Sequence, residues 1–225
     1  MDRLRRFWQD LTPGALILLA LVAAGLWAFG GLADMVEDKG QPGFDARLLL
    51  AFRHPADLAR PLGPPALAEA MRDLSALGST LTLTLVALAV AGWQWLAGRG
   101  RAAVLMLVAA GGGALVSTLA KIVIARPRPE VVPHLTFVDT ASFPSGHSMM
   151  SAVVYLTLAV VLAHAETGKG QRMFALGLAI LLTLGVGVSR VYLGVHWPTD
   201  VLAGWALGAA WALAVWLIVG LIDRR

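Results

Sequence analysis

Six apolar stretches, at residues 14–33, 78–97, 102–125, 147–164, 173–188 and 201–222, constrain this chain more than any other feature. A hydrocarbon core of roughly 30 Å is crossed by about 20 apolar residues in a helix, which satisfies its own backbone polar groups. The 225 residues are 58% hydrophobic and 14% charged, against about a quarter charged in ordinary soluble domains. The expected fold is all-α and membrane-embedded: about six transmembrane helices in a single domain over residues 1–225. The fifth stretch is the shortest, and Gly185 and Gly187 weaken its end. The first follows Arg3, Arg5 and Arg6 as a signal peptide would. Its apolar run exceeds the roughly 7–15 residues of such segments, so a retained first span is expected.

Basic residues cluster in alternate connections. Arg3, Arg5 and Arg6 precede the first span, Arg99 and Arg101 join the second to the third, Lys169 and Arg172 join the fourth to the fifth, and Arg224 and Arg225 end the chain. An even number of spans puts all four groups on one side, which the positive-inside rule makes cytoplasmic. The net charge of +4 is thus accounted for by topology, and no nucleic-acid partner is implied. The outer side receives the connections at 34–77, 126–146 and 191–199. The first of these is too long for a simple turn. Leu67, Met71, Leu74 and Leu77 recur in it at helical spacing, and residues 44–52 are similarly apolar with charged interruptions. One or two interfacial helices are expected there, with a packed cap as the alternative. Gly111, Gly112 and Gly113, and the Gly204/Gly208 pair, supply the small residues that let helices approach within a bilayer.

Chemistry concentrates in residues 121–200. Lys121 lies near the outer end of the third span, with Arg126 and Arg128 just beyond. Snorkelling would explain cations at a helix end, but the orientation bias disfavours them on this side. Pro127 and Pro129 stop the helix and stiffen the exit. Pro144-Ser145-Gly146-His147 opens the fourth span. The free N–H groups of a first turn favour an anion, and Ser145 also suits an ordinary N-cap. Arg190 ends the fifth span. His196 and Asp200 follow, four residues apart around Pro198, a residue that suits an early helix position. A carboxylate there can accept from one imidazole nitrogen and aim the other outward as nucleophile or base. The absence of cysteine excludes thiolate catalysis and cysteine metal sites.

Taken together, these segments resemble the type-2 phosphatidic acid phosphatase superfamily, the membrane lipid phosphate phosphatases. Its signature reads Lys-x6-Arg-Pro, Pro-Ser-Gly-His and Ser-Arg-x5-His-x3-Asp. It is matched here by Lys121, Arg128 and Pro129; by Pro144, Ser145, Gly146 and His147; and by Ser189, Arg190, His196 and Asp200. The resemblance spans the second half of the chain. It implies that His196 is the nucleophile, forming a phosphohistidine, with Asp200 orienting it. His147 resembles the general acid for the leaving oxygen. Lys121, Arg128, Arg190, Ser145 and the Gly146 N–H resemble the phosphate clamp. Phosphoryl transfer is mainly positioning and charge neutralisation, and three fixed cations supply the latter, so neither metal nor cofactor is expected. Arg126 falls outside the signature and reads as a secondary electrostatic contact; His54, His134 and His164 read as bystanders.

The implied substrate is a lipid phosphate or pyrophosphate of the undecaprenyl pyrophosphate, phosphatidylglycerophosphate or phosphatidic acid type. It would be hydrolysed at the outer face of a membrane, expected to be a bacterial inner membrane. Three alternatives use the same pocket: a phosphotransferase, a non-catalytic lipid-phosphate binder or transporter, and a vanadate haloperoxidase. Six spans argue against the last, whose members are larger and soluble, and the full set of signature residues argues against a binder. The signature ranks no substrate and fixes no oligomeric state.

Overall fold

The computed structural model describes residues 13–37, 43–165 and 168–222. The arginines of both termini, which contribute to the orientation argument, lie outside the described residues. Five helices are each long and apolar enough to cross a membrane: α1 (Pro13–Glu37), α5 (Gly100–Ile124), α6 (Gly146–Ala165), α7 (Lys169–Tyr192) and α8 (Pro198–Ile222). The expected second span, 78–97, is helix α4 (Thr80–Leu96), which at 17 residues is shorter than these five. It follows α3 (Pro65–Ala76) across a 45° bend, and the pair taken together is long and apolar enough for a sixth span. Two residues set the break. The Ser79 hydroxyl accepts from the Thr82 N–H at 3.2 Å and so caps a new helix. A Cβ on Gly78 would lie 2.3 Å from a Val186 methyl, so the chain can pass α7 there only without a side chain.

Between α1 and α3 lie the short helix α2 (Gly43–Leu50) and a small antiparallel hairpin, β1 (Arg53–His54) and β2 (Asp57–Pro61). The helices expected in this connection are α2 and α3. The apolar face of α3 does not lie open: Leu67 and Met71 pack with Tyr192, Leu193 and Val195, and Leu74 faces Gly185. The hairpin has no counterpart in the sequence reading, because two such short strands carry no alternating pattern to find.

Helix α7 runs 24 residues, well past the expected 173–188. Gly185 and Gly187 lower helix propensity, yet both lie at close approaches. A Cβ would stand 3.1 Å from the Leu74 side chain at 185 and 2.2 Å from the Trp205 ring at 187. Packing against α3 and α8 outweighs the propensity cost.

The core surrounds α6, which packs against α5, α7 and α8, while α1 lies mainly against α8. Over their apolar windows, 56% of α6 is buried against 6% of α1, so α1 is the helix most given over to lipid. Small residues let α8 and α6 touch. A Cβ on Gly204 would sit 2.8 Å from the Ser145 carbonyl oxygen, and one on Gly208 2.5 Å from that of Met149. Gly112 and Gly113 are likewise close, to Trp211 and Val153, whereas Gly111 has open space beside it. Gly208→Val is expected to force α6 and α8 apart and to cost about 1–3 kcal/mol. Thermal unfolding in detergent reads this as a lowered midpoint, while Gly92→Ala, with nothing within 4 Å, leaves the midpoint unchanged or slightly raised.

Candidate active site

One end of the bundle gathers the exit of α5, the entrance of α6, the end of α7 and the entrance of α8. The α5 exit is set by Ala125, whose φ of 46° is left-handed and whose N–H bonds the Lys121 carbonyl at 3.0 Å. Pro127 and Pro129 then keep the chain extended. Backbone bonds tie the connections to one another: Ser142 N–H to Arg126 O at 2.9 Å, Leu135 N–H to Leu193 O at 3.0 Å and Ser145 N–H to Asp200 O at 2.9 Å.

At their meeting point Asp200 is fully buried in the first turn of α8. Its Oδ2 accepts from the Trp197 N–H at 2.9 Å and from the Ser142 hydroxyl, and faces His196 Nδ1 at 3.3 Å. Its Oδ1 accepts from Arg126 at 2.6 Å. Arg128 donates to the other imidazole nitrogen, Nε2, at 3.2 Å. A guanidinium has no acceptor to offer. Nε2 is therefore the unprotonated nitrogen and Nδ1 carries the proton, directed at the carboxylate. Burial pulls the His196 pKa down to about 3, against the opposing pull of its bond to Asp200. The ring is neutral near pH 7.

A cavity of about 840 Å³ opens beside this imidazole. Lys121, Arg128, Arg190, Gly146, His147 and His196 line its polar end. Lys121 Nζ donates to the Ala141 carbonyl at 2.6 Å. Arg128 is held by the carbonyls of Thr140 and Val195 at 2.8 and 2.7 Å. Arg190 donates to the Ser75 hydroxyl at 2.8 Å, and its buried Nε finds no acceptor among the described residues. The rest of the cavity runs between α4 and α5 past Leu83, Ala87, Leu107, Ala110 and Gly111, which explains the open space at that glycine.

Six of the eight site residues singled out in the sequence thus share one cavity. Asp200 stands behind His196. Ser145 does not line the cavity: its hydroxyl accepts from Ser148 N–H and Oγ at 3.4 and 2.9 Å, the cap position of α6. Arg126 also turns away, bridging Asp200 and Asp45 at 2.6 and 2.8 Å beneath the Trp197 ring. His54 is exposed in the hairpin and His134 bonds the Pro129 carbonyl. The side chain of His164 lies outside the described residues. Sequence reasoning missed Ser142, Asp45 and Ser75. The one available signal was Asp45, an acid in the first turn of a short helix whose other charged residue is Arg47.

Comparison with known proteins adds an independent line. Residues 101–223 match the family model described as the PAP2 superfamily. Phosphatidylglycerophosphatase B of Bacillus subtilis is 35% identical over 145 residues, 64% of this chain and 71% of that protein. An undecaprenyl-diphosphatase of Sulfolobus acidocaldarius is 41% identical over 68 residues, 30% of this chain and 29% of that protein. The crystal structure of a transmembrane PAP2-type phosphatidylglycerolphosphate phosphatase from Bacillus subtilis superposes with a TM-score of 0.77 at 30% identity. It covers 90% of this chain and 96% of its own.

The depressed His196 pKa also has a consequence for stability. Between the unfolded value near 6.5 and the folded value near 3, the unfolded chain takes up a proton that the folded chain refuses. Stability is therefore complete above about pH 6.5 and falls as pH drops toward 3. Lowering the pH from about 6.5 to about 5 is expected to cost the protein about 2 kcal/mol through this group. His196→Asn should show a correspondingly shallower fall in unfolding midpoint over the same range.

Proposed function

This chain belongs to the PAP2 superfamily, and on that footing we propose that it cleaves a lipid phosphate through a phosphohistidine on His196 at the outer face of the membrane. It is an integral membrane protein and a lipid phosphate hydrolase, as its family membership and relatives establish. The observation that carries the proposal is His196 Nε2: unprotonated, backed by Asp200 through Nδ1, and facing a cavity whose polar end holds Lys121, Arg128 and Arg190.

The reaction follows from these positions. The substrate phosphate enters between Lys121, Arg128 and Arg190 and draws Arg128 from Nε2 onto its own oxygens, exposing the lone pair. The free Nε of Arg190 supplies a further donor, and arginine forks suit the equatorial oxygens. His147 takes up a proton as the anionic phosphate binds among the cations. Nε2 attacks phosphorus, the bond from phosphorus to the lipid oxygen breaks, and His147 gives that oxygen the proton. Water then attacks phosphorus, His147 takes the proton, and the P–N bond breaks to free inorganic phosphate and restore both histidines. Each step spreads charge over oxygens already surrounded by cations.

The cavity suits a lipid. Its polar end takes the phosphate, and its apolar run between α4 and α5 leads toward the bilayer, where a tail remains. Relatives named for phosphatidylglycerophosphate and undecaprenyl diphosphate make these the first substrates to compare, with phosphatidic acid. The orientation rests on Arg99, Arg101, Lys169 and Arg172. All four lie at the helix ends opposite the site, which supports a cytoplasmic location for those ends and an outer-face site; we read the membrane as a bacterial inner membrane.

Phosphate release in detergent with EDTA present is the test, on phosphatidylglycerophosphate, undecaprenyl pyrophosphate, phosphatidic acid and a soluble ester. Metal-independent release from a lipid, reduced about 10⁴-fold or more in His196→Ala as for loss of other covalent nucleophiles, is expected. Undiminished release by that variant overturns the assignment of the nucleophile. Orientation has its own check, since the chain lacks cysteine. In intact cells an impermeant maleimide should label Phe137→Cys at the cavity mouth and spare Ala97→Cys.

A further inference from the structure

Behind His196 the charges alternate. Asp45, in the first turn of α2, is only 5% exposed. Its Oδ2 accepts from Arg126 at 2.8 Å and from the Thr199 hydroxyl at 2.6 Å, and its Oδ1 accepts from the Thr199 N–H at 2.9 Å. Arg126 passes on to Asp200 Oδ1 at 2.6 Å, and Asp200 faces the imidazole through Oδ2. Neither acid, nor Arg126, lines the cavity. We propose that Asp45 is a positioning residue for the nucleophile: by neutralising Arg126, it leaves the charge of Asp200 free to act on His196. This rests on His196 being the nucleophile.

Charge balance around the imidazole points to this role. Phosphorylating Nε2 while Nδ1 keeps its proton places one positive charge on the ring. The groups around that ring from other elements are Arg128, Arg190, Lys121 and His147 on the cavity side, with Ser142 and Asp200 behind. The fixed charges that act on the ring from the cavity side, Arg128 and Arg190, are positive; the acid in the cavity lining, Asp139, is exposed and acts on Arg128. Asp45, Arg126 and Asp200 together carry a net charge of minus one, which balances the new charge. Without Asp45 the trio is neutral, because Arg126 cancels Asp200. The phosphoryl oxygens are then taken up by the three clamp cations, and the cationic ring has no net negative charge behind it, in a buried setting where such interactions are strong.

A purely structural role makes a different prediction. Asp45 also holds the start of α8 through Thr199, and if that were all, removing Arg126 as well would only do further damage. The test compares Asp45→Asn, Asp45→Asn/Arg126→Gln, Asp45→Glu, Thr199→Val and His196→Ala in detergent on one lipid phosphate. It reads kcat, KM and the level of acid-quenched phosphoenzyme. Asp45→Asn should lower kcat and phosphoenzyme by about 10- to 100-fold, the usual cost of losing an outer partner of a working histidine, with KM little changed. The double variant, net minus one again, should recover most of the loss, and Asp45→Glu and Thr199→Val should stay near wild type in kcat. A double variant no better than Asp45→Asn, or an Asp45→Asn with unaltered kcat, overturns the proposal. If Asp45→Asn does not fold, a folded double variant decides alone: near-normal phosphoenzyme supports the proposal and its absence overturns it. Turnover retained by His196→Ala would instead defeat the nucleophile assignment, and the inference with it.

Discussion

Asp200 is a carboxylate with no exposed surface, at the end of a helix that crosses a membrane. Such a group is tolerable only when its lone pairs are met by donors, and here the donors come from separate parts of the chain. Ser142 arrives from the stretch before α6, Arg126 from the stretch after α5, and Trp197 and His196 from the turn between α7 and α8. Satisfying one acid therefore brings three helix ends into register. The same arrangement protonates His196 on Nδ1 and leaves Nε2 toward the cavity. The fold requirement and the chemical requirement are met by the same hydrogen bonds.

The bend between α3 and α4 shapes the apolar part of the cavity as Asp200 shapes its polar end. Because α3 turns through 45° onto α7, Ser75 reaches Arg190 and the Tyr155 hydroxyl bonds the Leu77 carbonyl at 2.7 Å. The apolar run of the cavity then lies between α4 and α5. A straight second span would carry neither Ser75 to the arginine nor an apolar channel to the polar end. Packing of small residues is concentrated on the other side, where α6 and α8 meet at Gly204 and Gly208. One flank is thus tight and the other open.

Much of this was legible in the sequence because it depends on composition and spacing. The apolar runs mark the helices, and the cations and histidines at 121–200 stand at helix ends, where spacing alone puts them near one another. What stayed hidden depends on the path of the connections. Nothing local distinguishes Ser142 from any loop serine, and Ser75 gains its meaning only from the break at Gly78 and Ser79. The amphipathic spacing of Leu67, Met71 and Leu74 showed that α3 has an apolar face without showing that the face packs on α7. Propensity misplaced the end of α7, since Gly185 and Gly187 are contact points there. Arg126 read as an accessory cation, whereas its side chain turns inward to two acids. The Ser145 hydroxyl, for which both a cap and a phosphate contact were open, lies in the cap.

The proposed chemistry requires phosphorus to reach Nε2 of His196 within the three cations. Orthovanadate mimics a phosphoryl group in transfer by taking a fifth ligand, and a structure of the protein grown with it tests the claim directly. Vanadium should be bonded to His196 Nε2, with Lys121, Arg128 and Arg190 on its oxygens, His147 facing the apical oxygen opposite and Asp200 still on Nδ1. Vanadate bonded to His147, or held by the cations away from His196, would contradict it.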